Sequence, residues 1–292
     1  MTCDNLLEAE VVTADGQLLR ASESENPDLF WALRGGSGNF GIVTSFTFQL
    51  HPVGPMVVAG LVAHPMERAV EVLRFYRQFV ETTPDEINTI AGFLTTPDGV
   101  KVVVVAACHC GGIDEGEQAL RPLREFGPPV LDEIGPVPYT AFQQALDANF
   151  PRGRRYYWKS TMVRELSDDA ISQLIELFDS VPSAMTAILL QQLGNAANRV
   201  PQQPRPAATA FANRDARWDG VLLTSWEDAP RTPPRSSGRA RRGVRCDRSR
   251  LAGYTSTVLL TATPKKSVAR SAANMRDWRS SRRSTTRRTC SA

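Results

Sequence analysis

Between residues 34 and 41 the chain reads Arg-Gly-Gly-Ser-Gly-Asn-Phe-Gly, four glycines in eight positions. Glycine lets the backbone come close to whatever lies beside it, and successive amides in such a loop can serve an anionic or polar group. The segment is not a Rossmann fingerprint, because there a strand precedes the glycines and a helix follows. Here Pro27 to Leu33 has helical character with Asn26 as the expected cap, and Ile42 to Leu50 alternates like a strand. Two readings stand on the residues alone: a tight structural turn, or a loop that hugs a ligand. A second cluster, Cys108-His109-Cys110, suggests a metal. Adjacent strand residues point to opposite faces and no second ligand pair follows, so no metal is expected.

The remaining elements supply the scaffold. Leu7 to Thr13 and Gln17 to Ala21 form a hairpin around Ala14-Asp15-Gly16. Strands are expected at residues 57–63, 87–94, 100–108, 156–163, 187–193 and 221–226. Helices are expected at 66–81, 114–126 (interrupted near Pro122) and 168–180, the last capped by Ser167. Strands with helices between them give an α+β fold class.

Composition bounds the rest. The chain has 292 residues, 42% of them hydrophobic, which supports a core. No apolar run reaches the length of a membrane span and no secretory signal is visible, so a cytoplasmic location is expected. Five cysteines at irregular spacing define no disulfide framework. The overall charge of +3 hides an asymmetry: residues 229–292 hold 17 lysines and arginines against two acids, Asp247 and Asp277. That stretch is rich in Arg, Ser and Thr and is expected to be disordered. It also leaves open a nucleic-acid-binding reading through phosphate contacts, although it lacks interleaved aromatics or a DNA-binding motif.

Four strings in one order carry a resemblance: Cys3-Asp4-Asn5, Val11-Val12-Thr13-Ala14-Asp15-Gly16, Asn26 through Gly36, and Gly38-Asn39-Phe40-Gly41-Ile42-Val43-Thr44. Over about fifty residues they resemble the end of the FAD domain of berberine-bridge-enzyme-like oxidases, which share the flavin fold of vanillyl-alcohol oxidase and p-cresol methylhydroxylase. The resemblance implies FAD as cofactor. It implies hydride transfer from a substrate C–H bond to the flavin and reoxidation by O2, with an alcohol, sugar, amine or alkaloid-like small molecule as substrate. It places Asp4, Asn5, Val11, Val12, Asn39, Gly41, Ile42 and Val43 along the cofactor. Tyr157, Lys159, Gln191 and Gln192 are the substrate-side candidates, on strands that resemble those facing the flavin ring. Thr209-Ala210-Phe211 and Arg214 also fit the family text without an assigned role. Ser37 departs from it, and serine is tolerable there only if the position needs no positive φ.

The same resemblance divides the chain into residues 1–55 (the carboxy-terminal part of a PCMH-type FAD-binding domain), 56–228 (a substrate domain with an antiparallel sheet backed by helices) and the 229–292 tail. It implies that the start lies partway through the FAD domain, before which the flavin-tethering His and Cys would fall. Gly253 to Thr257 admits codons that in a shifted frame spell GVYVN, and Met275 to Ser291 can spell YERLAELKAKYDPTNLF in that frame. Both look like landmarks of the family's final segment, so a frameshift near residues 228–230 is expected. This chain would then be an incomplete or inactive version of the enzyme.

Overall fold

The computed structural model describes residues 1–181, 183–200 and 208–226. The tail on which the frameshift, disorder and nucleic-acid readings rest lies outside the described residues. The described chain forms two compact units, one of residues 1–50 with the described part of 199–215, the other of residues 51–198 with 216–226.

In the first unit, β1 (Leu6–Val12) pairs antiparallel with both β2 (Leu18–Ser22) and β3 (Ile42–Phe48), giving the order β2-β1-β3. The hairpin between β1 and β2 turns at Gly16, whose φ of 81° is open to glycine without strain. Helix α1 (Pro27–Leu33) begins with proline in its first turn. Asn26 does not cap it through its side chain. It sits in the left-handed region at φ 49° and donates to the Arg20 carbonyl. Leu6, Ala21 and Phe30 form the small core between helix and sheet. The strict alternation expected of β3 is broken, because register shifts against β1 separate Val43, opposite Val11, from Ser45, opposite Glu10.

The second unit is an antiparallel sheet of β4 (Met56–Pro65), β5 (Ile87–Thr95), β6 (Lys101–His109), β7 (Leu131–Asp132), β8 (Gly135–Pro138), β9 (Arg155–Val163), β10 (Thr186–Gln192) and β11 (Trp218–Trp226). The order is β7-β4-β6-β5-β10-β11-β9, with β8 also on β4. Helices α2 (Ala69–Thr82), α3 (Ile113–Glu125) and α5 (Asp168–Asp179) back one face. Their apolar stripes supply Val72, Leu73 and Tyr76, Leu120 and Leu123, and Ile171, Leu174 and Phe178, which meet alternate strand residues such as Phe93, Val103, Val105, Ile188, Trp218 and Leu222. Ser167 caps α5 as its sequence suggests, accepting from the Ala170 amide at 3.2 Å. Pro122 lies inside α3 without ending it. Short helices α4 (Tyr139–Gln144) and α6 (Ala196–Arg199) complete the described elements. Phe142 of α4 packs on Val57, Ala59 and Cys108, on the opposite sheet face. Among the described residues no helix is long and apolar enough to cross a membrane.

Candidate functional site

The glycine loop of the first unit is shaped largely by its own chain. A Cβ on Gly35 (φ 104°) would lie 2.6 Å from that of Phe211. One on Gly36 would strike the Ala32 carbonyl, and one on Gly41 (φ 148°) the Val12 carbonyl. These three glycines are required by packing. Gly38 is different, since nothing lies within 4 Å of the position a Cβ would take. Beside it Asn39 is exposed and Ile42 is 72% exposed. Ser37 sits at φ 73°, the left-handed conformation its side chain disfavours, so the position does demand what serine supplies poorly.

The other cofactor-side candidates are spent inside the unit. Both oxygens of Asp4 accept from the Arg214 guanidinium, Nη1 reaching Oδ2 at 2.8 Å, and the Met1 amino group adds a contact at 2.9 Å. Burial alone would raise this carboxyl. The Arg214 hydrogen bonds and the Met1 charge outweigh it and hold the carboxyl below its ordinary value. Asn5 donates to the Met1 carbonyl at 3.3 Å, and its own carbonyl receives the Gln49 amide at 2.8 Å. Val11 is fully buried, Val12 and Val43 half-buried. The backbone is therefore open at Gly38 and Asn39, whereas the Asp4 and Val11 side chains are engaged within the unit. Phe211 and Arg214, which had no role in the sequence, turn out to hold this loop and the amino-terminal turn.

In the second unit the four substrate-side candidates divide between faces. Cross-strand register puts Tyr157 opposite Thr224 and Lys159 opposite Leu222, on the helix-backed face, where Tyr157 packs on the core and Lys159 is exposed. Gln192 is on that face too, opposite Trp218 and only 6% exposed. Its Oε1 accepts from Thr89 at 2.8 Å and its Nε2 donates to Thr83 at 3.2 Å. Gln191 lies on the other face, flanked by Ile90 of β5 and Asp219 of β11.

Asp219 escaped the sequence reading, although an acid at the head of the apolar run from Trp218 to Trp226 was a visible signal. Its cross-strand partners are Gln191 and Met162. Oδ1 is buried with no hydrogen-bond partner among the described residues. Burial pushes its carboxyl up from the ordinary value, and a hydrogen bond from Ser160 pulls the other way. Further along the same face, Trp158 is 58% exposed, and Phe150 stands 5.7 Å from its ring and 5.8 Å from that of Tyr156.

Cys108 and Cys110 bring their sulfurs to 3.9 Å on one side of β6, while His109 accepts from the Gly111 amide at Nδ1. Among the described residues no three potential ligands converge on a metal position. A groove of about 440 Å³ between α2 and α3, lined by Phe75, Phe79, Thr82, Ile87 and Gln118, has no ionisable side chain.

Comparison with known proteins gives these geometries a context. No family model matches the chain. An FAD-linked oxidoreductase of Dictyostelium discoideum is 29% identical over 236 residues, covering 79% of this chain and 50% of that protein. (R)-6-hydroxynicotine oxidase of Paenarthrobacter nicotinovorans is 29% identical over 238 residues, covering 78% and 50%. Glucooligosaccharide oxidase of Acremonium strictum superposes with a TM-score of 0.72 at 21% identity, covering 90% of this chain and 56% of that one. A berberine-bridge-enzyme-like protein of Arabidopsis thaliana gives 0.64 at 18% identity, covering 77% and 48%. The chain spans about half the length of the curated relatives it matches. It is homologous to FAD-linked oxidoreductases, and its described residues have the mixed α and antiparallel β fold of the berberine-bridge-like and PCMH-type flavoenzymes.

Proposed function

We propose that this chain serves in an FAD-dependent oxidoreductase of the oxidase type, one that passes hydride from a substrate C–H bond to flavin and is reoxidised by O2. The observation that carries this reading is the homology to FAD-linked oxidoreductases across 79% of the chain. In it, residues 1–55 work as part of the cofactor-binding domain and residues 56–228 as the substrate domain, with residues 208–215 joining the cofactor side because they pack on the glycine loop.

When bound, the flavin supplies the acceptor for an electron pair and a hydrogen. The chain's own residues do the rest. The backbone of residues 38–42, with Asn39 and Ile42 at its exposed edge, lies along the cofactor. Asp4 and Asn5 act on it indirectly by fixing the turn that Arg214 braces, and Val11, Val12, Gly41 and Val43 shape the strand beneath. On the sheet of the second unit, Gln191 faces a small-molecule substrate, while the Trp158 ring offers a flat apolar surface for it. Tyr157, Lys159 and Gln192 support that surface from the helix-backed side.

The test is cofactor content. Full-length chain, purified, incubated with FAD and then freed of unbound FAD by gel filtration, should stay yellow with an absorption band at about 450 nm. Protein that elutes colourless overturns the reading.

A further inference from the structure

Strand β6 ends at His109 with a thiol on either side of that residue. Cys108 lies in the ladder, opposite Ala59 of β4 and Asn88 of β5, while Cys110 lies one residue past the strand. Residues two apart on a strand share a face, so both side chains fall on the side of the sheet that carries α4. Their sulfurs stand 3.9 Å apart. Cys108 is buried beside Val57, Ala59 and Phe142, and Cys110 is half-buried. Strand geometry separates such residues by about 6.6 Å between Cα atoms, within the span a disulfide bridges, and the sulfurs need a final approach to about 2.05 Å. That movement falls to Cys110. It is past the ladder, its amide donates to the Glu86 carbonyl at 3.0 Å, and Gly111 and Gly112 follow it and give the backbone room to adjust.

We propose that Cys108 and Cys110 form a redox-active dithiol, a modification site that hydrogen peroxide closes to a disulfide. This goes beyond the oxidoreductase reading and does not depend on it. Cys110, the accessible thiol, reacts first. Its sulfur takes one oxygen as the peroxide O–O bond breaks, giving a sulfenic acid and one water. The Cys108 sulfur then attacks the Cys110 sulfur. The S–O bond breaks, the S–S bond forms, and the hydroxyl leaves as a second water with the Cys108 proton. Two thiols and one peroxide thus become one disulfide and two waters, the sulfurs losing the two electrons that the peroxide oxygens gain. Burial, then the neighbouring Cys110, pushes the Cys108 thiol up to about 12, which makes it a poor first nucleophile and leaves it the second step, where proximity carries the reaction. The bond closes a loop of only three residues and so constrains the unfolded chain little, which suits it to opening and closing rather than to stapling the fold. Closing it draws Cys110 from Glu86 and moves Gly111, whose amide donates to His109 Nδ1 at 3.2 Å just ahead of α3.

Peptide mapping tests it. Trypsin leaves both cysteines on the peptide 102–124, because Arg121 precedes Pro122 and no other lysine or arginine falls between Lys101 and Arg124. Reduced full-length chain is treated with excess hydrogen peroxide, unfolded, blocked with N-ethylmaleimide and digested. The peptide should be unlabelled and lighter by two hydrogens, and should take up two maleimides once dithiothreitol has reduced it. Cys108→Ser should leave Cys110 as a sulfenic acid that dimedone traps, and Cys110→Ser should slow loss of the Cys108 thiol by about tenfold or more. In the oxidised wild type the Cys110 amide should exchange its hydrogen faster than in the reduced chain, since its bond to Glu86 is given up. Two maleimide-labelled thiols on the peptide after peroxide overturn the proposal, as does sulfinic acid at either cysteine without the disulfide. A bond from this peptide to Cys3 or to a second chain, or equal loss of the Cys108 thiol in wild type and Cys110→Ser, overturns it too. The wild-type map decides whether or not either serine variant folds, and added peroxide makes it independent of FAD.

Discussion

Arg214 and Asp4 meet as a two-point pair in which every Asp4 oxygen is matched by a guanidinium nitrogen, although 209 residues separate them in sequence. Arg214 is 3% exposed and also donates to Thr209 at 2.9 Å, so the pair ties residues 209–214 to the amino-terminal turn. Removing one partner of such a buried pair leaves the other charge unmatched. Arg214→Met should therefore lower stability by about 3 kcal/mol, read as a shift of the urea midpoint. Asp4→Asn keeps one acceptor but leaves the more buried Arg214 charge without its carboxylate, and should cost a comparable amount.

Asp4 and Asp219 should give stability opposite slopes with pH. Asp4 is held below its ordinary 3.8 in the folded chain, so its contribution is complete above 3.8 and disappears as pH falls from there through the lower folded value. Asp219 is raised, so folding is weakened as pH climbs from 3.8 through its higher folded value. Urea titrations across that range should show Asp219→Asn gaining stability relative to wild type as pH rises.

His64 adds a slope nearer neutrality. It is 1% exposed, edge-on to Phe126, and Arg68 approaches its Nδ1 at 3.5 Å. Burial first, then the Arg68 charge, depress its protonation below the ordinary 6.5. Its neutral form belongs to the fold, so stability is full above 6.5 and falls as pH drops below it through the folded value. His64→Gln should flatten the urea-midpoint profile below pH 6.5.

Much of the architecture was legible because it is written in local pattern. The 3.6-residue stripe of α2, the Ser167 cap and the Pro97-Asp98-Gly99 turn all act within a few residues of themselves. What escaped reading depends on partners far away. The strand expected at 221–226 in fact begins at Trp218, and nine residues pair with β9, with Trp218 buried opposite Gln192 and Val163. The faces of Tyr157 and Gln191 follow from register, and register is fixed by the whole sheet. Ser37 shows the same limit: only the fold reveals that its φ is 73°.

Ser37 is consequently open to improvement. Glycine carries no penalty in the left-handed region, and Ser37→Gly should stabilise the first unit by about 1 kcal/mol, offset in part by the entropy glycine adds to the unfolded chain. Ser37→Ala, which keeps the Cβ, should gain nothing. Matched urea curves of the two variants decide the point.

Gly38 and Gly41 should respond differently to the same change, and that difference separates scaffold from ligand surface. Gly41 combines φ 148° with a Cβ position occupied by the Val12 carbonyl, so Gly41→Ala forces β3 away from β1 and should destabilise by about 2 kcal/mol or more. Gly38 faces open space, and a methyl group there meets no protein atom within 4 Å. Gly38→Ala should leave the urea midpoint unchanged. If the backbone of residues 38–42 lies against the flavin, that methyl occupies the cofactor's place, and FAD affinity should fall by about tenfold or more. Unchanged FAD affinity in Gly38→Ala would separate this loop from the cofactor, leaving its glycines to the turn and to Phe211.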